Sequence, residues 1–166
     1  MLQPVRRRTW APRGKTPIQY SWDRHDRLSV ISGITVSPIR QRLGIYFRIH
    51  KQNIHYEQVM QFLTLIHRHL GRKFIVVLDR YSVHRKAIRL LRDKHPGWID
   101  VEWLPAYAPE LNPVEQIWNH SKYSDLANFI PQDIEELDKE LSKSIQSQSY
   151  NNSLILSYFK FAKLKL

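Results

Sequence analysis

Asp79 closes an unbroken apolar run, Phe74-Ile75-Val76-Val77-Leu78, and in open α/β sheets the carboxyl ends of such strands are where ligand sites collect. An acid in that place also suits a turn or a helix N-cap, so position alone leaves both roles open. A second carboxylate, Glu115, follows after thirty-five intervening residues in the stretch Asn112-Pro113-Val114-Glu115. Its helix-start position gives it two readings as well. With Asn112 as N-cap it would complete a capping box. If the helix start lies near the end of the Asp79 strand, the two carboxylates could instead hold Mg²⁺ or Mn²⁺, hard ions that prefer oxygen ligands, and the chemistry would be phosphoryl transfer. His84, five residues after Asp79, is placed to contact a phosphate or to orient a carboxylate.

Other candidates are weaker. His67 and His69 lie two apart on a helical stretch and point to different sides, and His50 and His55 flank a turn, so none of them makes a zinc site. Asp100 and Glu102 alternate with Ile99, Val101 and Trp103, which puts them on the solvated side of a strand. No glycine loop of the kind that cradles phosphates is present, and the chain has only five glycines.

The elements that must position these groups follow from hydrophobic period and breakers. The runs IQYSW, LSVISGITVS and LGIYFRI predict a three-strand meander. Residues 55–70 carry Val59, Phe62, Leu63, Ile66 and Leu70 at helical spacing and end at Gly71, a C-cap residue. The run 74–78 predicts a strand buried on both faces. Residues 84–94 then predict a helix broken by His95-Pro96-Gly97, and 99–104 a strand, completing a βαβ unit. A helix starts near Pro113 and another spans about 131–144 with Ile134, Leu137, Leu141 and Ile145 on one stripe. The Ser/Gln/Asn segment 146–153 reads as loop, and LILSYFKFAKLKL as a short apolar element docked on the core. Residues 4–17, with three prolines and Gly14, read as loop containing a tight turn. Meander strands followed by alternating strand and helix predict an α/β fold, a mixed sheet with helices on both faces.

The chain has 166 residues, enough for one domain. It has no cysteine, which removes disulfides, thiol nucleophiles and Cys-ligated metals, so any metal must sit on carboxylate or imidazole. Twenty-six Lys and Arg against fifteen Asp and Glu give a net charge of +11 and point to a polyanionic partner. The excess is N-terminal: residues 1–51 hold eleven basic residues and only Asp23 and Asp26 as acids. No apolar run is long enough to span a membrane, and the charged start differs from a signal peptide. The chain is expected to be cytoplasmic.

Three stretches carry a resemblance. TWAPRGKTP (9–17), VVLDRYSVHR (76–85) and LPAYAPELNPVEQIWNHSK (104–122) resemble successive motifs of the catalytic domain of DDE transposases, in the bacterial insertion-sequence branch related to mariner elements. The resemblance covers roughly residues 2–145. It implies an RNase H-like fold, with 1–145 as a partial catalytic domain and 146–166 as a C-terminal loop and tail. It further implies metal-dependent cleavage and joining of double-stranded DNA at transposon ends, Mg²⁺ or Mn²⁺ as cofactor, and a nucleoid-associated location. Asp79 and Glu115 resemble the second and third acids of the catalytic triad. The DNA contacts are expected at Arg6, Arg7, Arg8, Arg13, Lys15, His84 and Arg85. In the family the first acid lies on an opening strand just before the first motif, whereas residues 1–8 contain no acid and Asp23 and Asp26 fall on the wrong side of it. The opening strand and the end-recognising helix-turn-helix are therefore expected to be missing from these residues, and the isolated chain to be inactive. A homodimer or pairing with full-length transposase is expected. The alternative is a non-catalytic DNA-binding remnant that inhibits full-length transposase.

Overall fold

The computed structural model describes residues 7–8, 10–15, 18, 27–39 and 42–166. The first predicted strand, IQYSW, lies outside the described residues apart from Ile18, as do Arg6, Asp23 and Asp26. Alternating β-branched residues form two strands, β1 (Ser29–Val36) and β2 (Leu43–His50), paired antiparallel from Ser29↔His50 to Val36↔Leu43. The Ser37 amide donates to the Arg42 carbonyl at 2.9 Å and closes their connection.

Helix α1 (Tyr56–Leu70) buries Val59, Phe62, Leu63 and Ile66. It stops at Gly71, whose φ of 64° is the left-handed C-cap conformation and whose amide donates to the His67 carbonyl, as the sequence predicts. Strand β3 (Phe74–Leu78), helix α2 (Ser82–Lys94) and strand β4 (Ile99–Trp103) make the βαβ unit, with β3 and β4 parallel from Phe74↔Ile99 to Leu78↔Trp103. A single 3₁₀ turn (Pro109–Leu111) leads into α3 (Glu115–His120), which widens into a π turn (Ser121–Asp125). Helices α4 (Ile134–Ser149) and α5 (Asn152–Phe161) complete the chain.

Two cores flank the strand layer. In one, Val30 and Ile34 of β1 and Ile45, Phe47 and Ile49 of β2 pack on Ile117, Leu137, Leu141, Ile145 and Tyr158. In the other, Ile31 of β1 joins Phe74, Val76, Val101 and Trp103 against α1 and α2. Helices thus cover opposite faces of β1, because successive side chains of a strand point to opposite sides. The layers are mixed α/β as expected, but among the described residues the strands form two separate pairs, one antiparallel and one parallel, rather than one mixed sheet.

Two further expectations are corrected. Among the described residues strand β3 is covered on one face only: Ile75 and Val77 are 65% and 56% exposed, and they share their face with the exposed Asp100 and Glu102, their register partners on β4. Helices α1 and α2 cover only the Phe74, Val76 and Leu78 side. The segment 146–153 is not a loop, because α4 continues to Ser149 and α5 begins at Asn152. The reason is a buried polar chain. The Tyr158 hydroxyl donates to Gln148 Oε1 at 2.7 Å, Gln148 Nε2 donates to Ser121 Oγ at 2.8 Å, and Ser121 Oγ meets Ser144 Oγ at 2.7 Å. Ser144 Oγ in turn donates to Asp125 Oδ2 at 2.7 Å. Burial, then the charge of Asp125, pushes the Tyr158 phenol well above its ordinary value, which keeps it a donor. Asn151 caps α5 by accepting the Leu154 amide at 3.0 Å. The apolar tail docks through Ile155, Tyr158 and Phe159, all buried.

Gln148→Ala would strand the Tyr158 hydroxyl and the Ser121 and Ser144 pair inside the core, and it should lower the free energy of unfolding in urea by about 2–3 kcal/mol. A change below about 0.5 kcal/mol, the size of an ordinary surface substitution, would show that the chain of hydrogen bonds holds nothing together.

Candidate active site

The carboxyl ends of β3 and β4 stay in register one residue beyond the strands, where the Leu104 amide donates to the Leu78 carbonyl at 2.8 Å. Asp79 leaves β3 at this edge. Its Oδ1 accepts the Tyr81 amide at 3.1 Å and lies 2.6 Å from Nδ1 of His84, in the first turn of α2. The carboxylate is thereby fixed at the amino end of a 13-residue helix, where a negative charge is favoured. The Tyr81 ring stands edge-on to His84 with centroids 5.8 Å apart. The Arg80 Nε donates to the Leu104 carbonyl at 3.3 Å, tying the two strand ends together.

After β4 the chain runs through Leu104-Pro105-Ala106-Tyr107-Ala108-Pro109 and turns back. Asn112 does not cap α3 in the predicted way. Its Oδ1 accepts the Val114 amide at 3.2 Å, two residues on, and the Glu115 amide donates to the Asn112 carbonyl at 3.1 Å. A tight turn therefore precedes the helix, and Glu115 is its first residue rather than the partner of a capping box. The result is a cavity of about 380 Å³ lined by Asp79 and Glu115 together with Arg80, Tyr81, Tyr107 and Asn112. Glu115 is half-buried. Burial, and after it the negative charge of Asp79, holds its carboxyl above the usual carboxylate range.

Two carboxylates that share a cavity form a donor set suited to a hard divalent cation. Mg²⁺ in particular is held by one or two carboxylates while it keeps waters and substrate phosphate oxygens as further ligands. Among the described residues no group of three His, Cys, Asp or Glu side chains gathers at one place. Among the described residues, Asp79 and Glu115 are the two carboxylates that line the cavity.

The basic residues expected to contact DNA are placed differently from one another. His84 is engaged with Asp79, and Arg85 is exposed beside it in α2. Arg13 and Lys15 are exposed in a turn closed by the Lys15 amide on the Pro12 carbonyl at 2.9 Å, with Gly14 supplying the φ of 81° that such a turn requires. Arg7 lies against the far end of the helix begun by Glu115: its amide donates to Asn128 Oδ1 at 2.6 Å and its guanidinium sits 5.8 Å from the Tyr123 ring centroid. Arg8 is exposed. None of Arg7, Arg8, Arg13 and Lys15 lines the cavity, and Arg6 lies outside the described residues. Arg80, Tyr81 and Tyr107 do line it and are not singled out by spacing; only their adjacency to Asp79 and to two prolines marks them. His67 and His69 do point apart, His67 stacking on Trp98 at 4.1 Å and His69 meeting Tyr46 edge-on at 5.4 Å.

In comparisons with known proteins, no curated protein matches the sequence. Among solved structures, the crystal structure of the Mos1 strand transfer complex aligns with a TM-score of 0.55 at 18% identity, covering 98% of this chain and 50% of that one. The folds are alike, and the chain spans half the length of the Mos1 chain. The sequence profile of the DDE superfamily endonucleases matches residues 1–138, a stretch that holds β1 to β4, Asp79, Glu115 and the cavity between them. The chain belongs to the DDE superfamily endonucleases.

Proposed function

We propose that this chain is the catalytic part of a transposase and that Asp79 and Glu115 hold a divalent ion against a DNA phosphodiester. The observation that carries this reading is their opening into one cavity, with ionisation of the Glu115 carboxyl disfavoured by burial and then by the Asp79 charge. When bound, Mg²⁺ or Mn²⁺ supplies Lewis-acid activation of an attacking hydroxyl and neutralises charge at the phosphate. The chain's own residues do the positioning. His84 and the Tyr81 amide fix the orientation of Asp79, the turn at Asn112 presents Glu115, and Arg80, which lines the same cavity and is tied by its Nε to the Leu104 carbonyl, meets an entering phosphate. On this reading the DNA is a transposon end, and a second copy or a full-length transposase works beside this chain. The site of action is then the bacterial nucleoid; no described helix is long and apolar enough to cross a membrane. A DNA-binding remnant would share the basic surface but has no use for a half-buried Glu115 set against Asp79.

Binding to random duplex DNA should weaken steeply with salt, and replacing Arg80 or Arg85 by Ala should reduce the slope of log K against log salt by about 1 for each lost phosphate contact. Binding that ignores salt, or keeps its slope in both variants, would contradict the DNA reading.

Because the folded-state pKa of Glu115 is raised, the folded chain binds the proton more tightly than the unfolded chain does, and this group lowers stability increasingly as pH rises through the carboxylate range. Glu115→Gln should therefore raise Tm at neutral pH, and the gain should vanish below about pH 4, where the unfolded carboxyl is itself protonated. Added Mg²⁺ should raise Tm of the natural chain and leave that of Glu115→Gln and Asp79→Asn unchanged. An equal Mg²⁺ shift in all three would place the ion elsewhere.

A further inference from the structure

Tyr107 is the one cavity residue whose state the carboxylates do not explain. It stands at the middle of Pro105-Ala106-Tyr107-Ala108-Pro109, its side chain is fully exposed, and its φ is 58°. A bulky residue in the left-handed region is strained, and such strain persists where the surroundings enforce it and clusters at functional sites. Here prolines on both sides hold the turn, so the ring is presented rather than left to wander. Among the described residues it has neither a hydrogen-bond nor a ring partner, although it borders the same cavity as Asp79 and Glu115. A large apolar ring kept in water and under strain is accounted for by something that covers it when the cavity is filled.

We infer that Tyr107 is a stacking platform for an unpaired DNA base next to the phosphate held at Asp79 and Glu115. The assignment rests on the DNA reading given above and specifies the substrate further: a strand whose base has left the duplex at the cleft. The bases of an intact duplex have their faces covered by neighbours, so a solitary exposed ring gains most from a base that is unstacked. Stacking of this kind is indifferent to sequence because every base offers a π face. Tyr81, on the same cavity, has its ring already set against His84 and the Tyr81 amide engaged by Asp79, which leaves Tyr107 as the free aromatic.

The test uses the whole chain with two DNA probes, a blunt duplex and the same duplex with a short 3′ overhang carrying 2-aminopurine. Binding is followed by anisotropy and stacking by 2-aminopurine quenching. With the natural chain the overhang base should be quenched on binding. In Tyr107→Ala the quenching should disappear and affinity for the overhang should fall about fivefold or more, with blunt-duplex affinity unchanged, while Tyr107→Trp should retain both signals. Tyr107→Gly, which relieves the φ strain, should melt no lower than the natural chain and lose quenching equally, separating stacking from folding. Equal losses on both probes would assign the ring to general DNA or protein contact and overturn the inference while leaving the DNA reading intact. Quenching that survives in Tyr107→Ala would do the same. Failure of the natural chain to bind either probe would overturn both.

Discussion

Two carboxylates opening into one cavity repel each other, and the chain must hold them there against that repulsion and against the loss of water around Glu115. Each is held by a different device. Asp79 is anchored through the Tyr81 amide and His84, groups contributed by the very helix that follows its strand. Glu115 is placed by a turn, in which Asn112 accepts one amide with its side chain and another with its carbonyl. Neither device works unless β3 and β4 end side by side, and the Leu104 to Leu78 hydrogen bond and the Arg80 contact to Leu104 secure that.

The scaffold behind Glu115 carries a polar chain inside an otherwise apolar core. The helix it begins widens into a π turn at Ser121–Asp125, and the hydroxyl of Ser121 enters a buried chain of hydrogen bonds that reaches Ser144, Gln148 and Tyr158 on α4 and α5. An apolar contact tolerates sliding, whereas a satisfied buried polar chain fixes one register, since any shift would leave a donor or acceptor unpaired in the core. The last two helices thereby fix how α3 is seated, and with it where its first residue stands.

Much of this was legible in the sequence. An apolar run followed by Asp, and Asn-Pro-Val-Glu at the head of a periodic segment, located both carboxylates, and Gly71 marked the end of α1 correctly. The misreadings have definite causes. The run 74–78 is uniformly apolar, but uniform hydrophobicity does not say whether one face or both is covered, and Ile75 and Val77 are left exposed. Ser144 and Gln148 resemble loop residues, yet their polar atoms are satisfied by partners far along the chain, which no local pattern reveals. Asn112 was a sound cap residue placed one turn too simply, because the Pro113-Val114 turn intervenes before the helix. Arg80 and Tyr107 reach the cavity only through the path of the chain after each strand, a tertiary fact without a periodic signature.

The central claim, that Asp79 and Glu115 act on one ion, is tested most directly by letting that ion report its own position. Fe²⁺ substituted for Mg²⁺, with ascorbate and peroxide, releases hydroxyl radicals that cut the backbone beside the bound metal. The account predicts two clusters of cuts, one around residue 79 and one around residue 115, both suppressed by excess Mg²⁺ and both absent in Asp79→Asn. Cuts at only one of these places, cuts elsewhere in the chain, or a pattern that persists in Asp79→Asn would contradict it.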